Sequence, residues 1–174
     1  MKRHAPIAAA LCLAAFASVI PTATAQSQNL VIIDQDGFKS EISGSQTGYQ
    51  LSLSVKQRGY EQGIRAIQEG ARHVAEIRQY GRGNGAAFTQ SGRRNSGFLG
   101  QAGFFNSAAI NQIGQGNLAG VAQLGQGNSA SANQTGSYSA LGIVQVGDGN
   151  AVNVTQSERG EVKLVIQGLN RLRW

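Results

Sequence analysis

The stretch Asn106-Ser107-Ala108-Ala109-Ile110-Asn111-Gln112 decides how this chain folds. Asn106, Ala108, Ile110 and Gln112 occupy alternate positions, so a strand of about seven residues presents all four on one face. Four residues then pass before the pattern restarts at Asn117, and Gly114 lies among them. A glycine there suits a tight corner with positive φ. The same grammar runs outward in both directions. Glutamine recurs every eleven residues, at Gln35, Gln46, Gln57, Gln68, Gln79, Gln90, Gln101, Gln112, Gln123, Gln134, Gln145, Gln156 and Gln167. Glycine stands two residues after eleven of these thirteen, from Gly37 to Gly147, which makes the body one repeated unit. Asparagine stands five residues after glutamine in the cleanest units, at Asn84, Asn95, Asn106, Asn117, Asn128 and Asn150.

An eleven-residue period also suits a right-handed helical supercoil. A glycine in every unit would cost that helix about 1 kcal/mol per repeat, and no broad apolar stripe offsets it. Unstructured low complexity is countered by the periodic aliphatics Val55, Ile77, Leu99, Val121, Ile143 and Val165.

One strand-and-corner unit cannot close on itself, whereas two make a 22-residue strand-turn-strand rung. The side chains support the doubling. The aliphatic row just named belongs to every second unit. The alternate units carry Gly44, Ala66, Phe88, Ile110, Ala132 and Val154, which vary far more. The expected fold is all-β, an amyloid-like β-solenoid of about six stacked rungs, roughly 29 Å tall at about 4.8 Å per rung. Stacking places identical amides one above another. Glutamine and asparagine both donate and accept, so such columns satisfy polar groups inside a narrow core. The expected ladder comprises the thirteen glutamines and six asparagines above.

The first residues read as an export leader. Lys2, Arg3 and His4 precede a largely apolar run from Ala5 to Ile20, then Pro21 and the small residues Ala23-Thr24-Ala25. The expected boundaries are a signal peptide at 1–25, an N-terminal segment at 26–34, a repeat solenoid at 35–167 and a basic tail at 168–174. A membrane anchor is the alternative for the leader, but the run is short and alanine-rich. Cys12 lies in that run, so the mature chain has no cysteine for disulfides or thiolate metal sites. Loss of Lys2 and Arg3 leaves 13 basic against 9 acidic residues and lowers the formal net charge from +6 to +4. That charge is compatible with phosphate or membrane contact without demanding either.

Little points to catalysis. His73 is the single mature histidine and occupies an asparagine position, where it reads as a substituted ladder residue. No nucleophile-base pair or metal-ligand spacing accompanies it, and the glycine corners lack the lysine and helix of a phosphate loop. The reading therefore calls for no enzyme activity and no cofactor. Flat Thr-x-Thr rows, which would suit ice binding, are missing.

The pattern resembles the curlin repeats of bacterial curli, whose unit runs Ser-x5-Gln-x4-Asn-x5-Gln. Asn106, Gln112, Asn117 and Gln123 match that spacing with asparagine at the serine position. Ser139, Gln145, Asn150 and Gln156 match it with serine itself. The resemblance covers Gln35 to Gln167. It implies secretion, β-solenoid stacking, and polymerisation into extracellular functional amyloid fibres that serve adhesion and biofilm. It implies partners too: the same chain or a major curlin-type subunit, the outer-membrane secretion and nucleation machinery, and the outer-membrane surface. Nucleic acid is not among them. Of the family's two subunits, this chain looks more like the minor one, which nucleates and attaches the fibre. The asparagine position reads Ser40, Leu51, Gln62 and His73 in the early units, and arginines recur at outward or corner positions. The last unit departs most. Glycine moves to Gly160, Glu161 takes the asparagine position, and Lys163 takes a normally small inward one. With Arg159, Arg171, Arg173 and Trp174, Lys163 forms the expected surface-attachment set, because cations beside apolar residues suit a lipid interface. The alternatives are a major fibre subunit and a monomeric secreted solenoid that binds surface glycans.

Overall fold

The structure is a computed structural model describing residues 28–168. The leader, Arg171, Arg173 and Trp174 lie outside the described residues. The chain alternates between two parallel sheets. The seven-stranded sheet contains β1 (Leu30–Phe38), β3 (Ser52–Tyr60), β5 (Val74–Arg82), β7 (Ser96–Phe104), β9 (Leu118–Gln126), β11 (Ala140–Val146) and β13 (Val162–Gln167). The six-stranded sheet contains β2 (Glu41–Tyr49), β4 (Gly63–Ala71), β6 (Gly85–Arg93), β8 (Ser107–Gln115), β10 (Ser129–Gln134) and β12 (Ala151–Gln156). Every strand pairs with the strand 22 residues away, glutamine on glutamine, as in Gln57 on Gln79 and Gln90 on Gln112. The protein is a β-solenoid of 22-residue rungs. Its first strand begins at Leu30, five residues before the glutamine series.

Two local expectations need correction. Most strands run nine residues rather than about seven and pass through the glycine instead of stopping before it. The corner is only two residues long. Its first residue, four after the glutamine, adopts a left-handed backbone: φ is 53° at Glu61, 59° at Arg72 and 56° at Phe105. Such a conformation costs an L-residue roughly 1–2 kcal/mol, and glycine takes over at Gly83, Gly116, Gly127, Gly149 and Gly160. Gly160 is therefore in a corner position that other units also fill with glycine.

The in-strand glycine has a different purpose. Gly103 has φ 120°, and a Cβ there would lie 2.0 Å from the Gly125 carbonyl oxygen of the next rung. The strands cannot keep their hydrogen-bond spacing with any side chain in that column. Inward positions form one continuous core. Ile77, Leu99, Val121 and Ile143 line the seven-stranded sheet, and Ala66, Phe88, Ile110 and Ala132 face them. The largest of these, Phe88, is accommodated by Gly97 across the core, where a Cβ would lie 2.4 Å from the ring. The uneven row is thus matched by its opposite sheet.

The two glycine environments separate by mutation. Gly103→Ala should abolish cooperative folding or strongly lower its midpoint. Gly85→Ala meets nothing within 4 Å and should change stability by about 1 kcal/mol or less. Denaturant titration of both variants checks this, and equal losses would contradict the close-approach account.

Candidate functional site: amide columns and open strand edges

The glutamines stand in two columns inside the stack. Gln112 illustrates the unit. Its Nε2 donates to Gln134 Oε1 at 2.9 Å and to the Ser96 carbonyl of the opposite sheet at 3.0 Å, while its Oε1 accepts from Gln90 Nε2 at 2.8 Å. One side chain therefore ties three rungs and both sheets. The six-stranded sheet's column runs Gln46, Gln68, Gln90, Gln112, Gln134 and Gln156. The other runs Gln57, Gln79, Gln101, Gln123, Gln145 and Gln167. Gln35 does not join. Its Nε2 turns to the Ser40 carbonyl, and the buried Gln57 Oε1 below it has no partner. All the linked amides point the same way, Nε2 toward the C-terminal end, so the columns have a direction.

The asparagines add backbone contacts to the expected amide-on-amide ladder, which links Asn84, Asn106, Asn128 and Asn150. Asn84 Nδ2 donates to the Tyr80 carbonyl at 3.0 Å and to the Gly103 carbonyl at 3.1 Å, and its Oδ1 accepts the Asn106 N–H at 3.0 Å. Asparagine thus clamps its own corner to the next rung through backbone groups. Asn95, Asn106, Asn117 and Asn128 repeat the contact with the glycine carbonyl above. Asn150, half-buried near the end of the stack, donates to the Val146 carbonyl of its own corner at 3.1 Å and to Asn128 Oδ1 at 2.9 Å. Gln62 reproduces the clamp on the Arg58 and Gly81 carbonyls, yet its longer side chain leaves Oε1 unpartnered. His73 is buried; Nδ1 accepts the Asn95 N–H and Nε2 faces the Glu69 carbonyl as a donor. Asn29, which the six-residue relation to Gln35 would have flagged, opens the same column by accepting the Leu51 N–H and donating to the Gly48 carbonyl.

The last unit has a distinct end. Lys163 is aligned with the buried Leu141, but among the described residues no rung covers it. Its ammonium pairs with Glu161 and donates to the Thr155 carbonyl. Arg159 is exposed and lies 5.3 Å from the Tyr138 ring centre, within cation–π range. Of the expected attachment set, Arg159 and Lys163 lie on the last unit, and Arg171, Arg173 and Trp174 are outside the described residues. Among the described residues no group of three His, Cys, Asp or Glu side chains is placed to hold a metal. Arg58, Arg65, Arg72, Arg78, Arg82, Arg93 and Arg94 all point to solvent, which avoids burying unpaired charge.

The outer faces differ in a way the repeat pattern did not reveal. The six-stranded sheet shows small polar side chains such as Ser129, Ser131, Asn133 and Thr135. The seven-stranded sheet exposes Leu118, Leu124, Val162, Leu164 and Ile166 toward its C-terminal end. Among the described residues, the first and last strands of both sheets have one unpaired edge each.

Fold and columns together define the class: an amide-laddered parallel β-solenoid whose end strands are open among the described residues. The family model for the curlin associated repeat matches residues 106–136, the stretch from the Asn106 corner through Gly136. No curated protein and no solved structure matches the chain.

Column and surface positions should respond unequally. Gln112→Leu leaves the Gln90 donor, the Gln134 acceptor and the Ser96 carbonyl without their partner, at about 1–3 kcal/mol for each group left buried and unpaired. Ile110→Asp should cost more than about 4 kcal/mol, since it buries an uncompensated charge. Gln126→Leu, at an exposed strand end, should stay within about 0.5 kcal/mol. Unfolding midpoints of the three variants test the order, and equal effects at Gln112 and Gln126 would contradict it.

Proposed function

We propose that this protein is a structural subunit of extracellular curli-type amyloid fibres. The observation that carries this reading is the pair of directional glutamine columns ending at uncovered strand edges, within a chain whose residues 106–136 match the curlin repeat. An uncovered parallel edge with unsatisfied amides is a template for another chain's strand. Such a protein adds rungs; it has no need of a reaction centre, so it is not an enzyme. The family resemblance supplies the setting: export through the leader at 1–25, polymerisation at the cell surface, and service in adhesion and biofilm.

Within that class the minor, nucleating and surface-attaching subunit fits best. Its support is the charged last rung, where Glu161 and Lys163 occupy positions that asparagine and a small residue hold elsewhere. The basic segment Glu158 to Trp174 is then the attachment element, and the regular body is the template offered to a major subunit.

The chain starting at Gln26 should form fibres with a cross-β reflection near 4.8 Å and should bind amyloid dyes. A persistently soluble monomer at high concentration would sink the fibre reading. Removal of residues after Gln156 should release seeding-competent material from cells into the medium. Normal retention of that truncated chain would move the attachment role elsewhere.

A further inference from the structure

The strand count is odd. Among the described residues thirteen strands give one sheet seven and the other six, so the described stack contains six and a half rungs. Consider two copies joined end to end by simple translation. The next β1 would lie on β13, continuing the seven-stranded sheet. The next β2 would then be two strand spacings above β12, roughly 10 Å, with nothing between. That vacancy would leave Gln156, Asn150 and Val154 facing an empty slot at every junction.

Resting on the fibre reading above, we propose that successive copies stack with a half turn about the fibre axis, so that each copy's seven-stranded sheet continues the six-stranded sheet of the copy before it. The eleven-residue unit makes this feasible, because both sheets carry the same inward grammar of corner asparagine, two apolar positions and glutamine. Strands of the two sheets alternate along a chain that reverses at each corner, so they run in opposite directions. A half turn restores parallel pairing. β1 of the next copy then fills the slot on β12, and its β2 lies on β13.

The contacts at this junction match in kind. Gln35 of the next copy continues the column at Gln156, and its Gln46 continues the column at Gln167. Its Asn29 meets Asn150 and takes the place that Asn150 takes on Asn128, where the backbone N–H donates to Asn128 Oδ1 at 3.0 Å. Its Ile33, an inward residue of β1 that is about half exposed in the single copy, covers the half-buried Val154. Glu161 and Lys163 are the charged residues at inward positions of the interface, and they pair with each other. The Lys163 ammonium is already directed to Glu161 and the Thr155 carbonyl, so its methylene stem can cover Ile42 of the next copy. Each copy advances the fibre by about 31 Å, and orientation repeats after about 62 Å. The exposed Leu118, Leu124 and Leu164 surface consequently alternates between the two sides of the fibre.

Paired cysteines in the full-length mature chain test the geometry. Asp34 and Thr155 hold equivalent outward positions on β1 and β12, and Asp34 and Ile166 do so on β1 and β13. Adjacent in-register strands place such residues about 4.8 Å apart, within disulfide range. Fibres of Asp34→Cys with Thr155→Cys, oxidised mildly, should give a ladder of covalent oligomers on a non-reducing denaturing gel. Fibres of Asp34→Cys with Ile166→Cys should stay monomeric on that gel. The two cysteines of either pair lie at opposite ends of one copy, so links within a chain do not confuse the result. The reverse pattern, links in both pairs, or links in neither, overturns the half turn while the fibre reading stands, provided the same samples show the cross-β reflection. Samples without that reflection overturn both.

Discussion

Everything in this protein depends on each residue lying on its counterpart 22 residues away. Parallel strands hydrogen-bond at about 4.8 Å, and primary amides bridge the same distance with one hydrogen bond. A glutamine in strict register can therefore repeat the backbone's own bonding pattern with its side chain. Gln112 does more, because its second Nε2 hydrogen reaches Ser96 in the opposite sheet. The column thus holds rungs together along the axis and sheets together across the core. A leucine at that place would bury more apolar area but would supply neither bond.

The same register explains where other residues are tolerated. Gly103 fits because the rung beside it brings a carbonyl oxygen to the space a Cβ needs. Charges are directed outward because an inward charge would recur beside nothing that could balance it, apart from the Glu161 and Lys163 pair on the uncovered last rung. His73 and Gln62 are tolerated at the corner because each still engages the carbonyl four residues back, as asparagine does. Leu51 has no polar group to offer, and Asn29 spends its Oδ1 on the Leu51 backbone N–H instead.

A body this regular has few places to carry individuality. They are its ends, its corners and its outer faces. The ends decide what adds to the stack and in which orientation. The outer faces decide what lies beside it, and here the seven-stranded sheet exposes more large aliphatic side chains near the C-terminal end than the six-stranded one does. Fibre nucleation and surface attachment, as proposed, would use these features rather than a pocket.

The sequence by itself determined the register. Thirteen evenly spaced glutamines leave one way of overlaying the units, and the uneven row of Gly44, Ala66, Phe88 and Ile110 against the even row of Val55, Ile77 and Leu99 distinguishes the two sheets. It also marked which amides and aliphatics face inward, since alternation along a strand needs no tertiary information. Only the tertiary structure decided how those amides bond. The choice of a backbone carbonyl for Asn84, of Ser96 for Gln112, or of Ser40 for Gln35 depends on where the opposite sheet and the corner lie. It likewise decided that the positive-φ corner falls four residues after glutamine, that the other glycine is kept for close approach between rungs, and that Gly97 makes room for Phe88. These are relations between units, and a repeat pattern describes the unit; the physical reason is that packing across the core joins positions whose spacing in the chain carries no periodic mark.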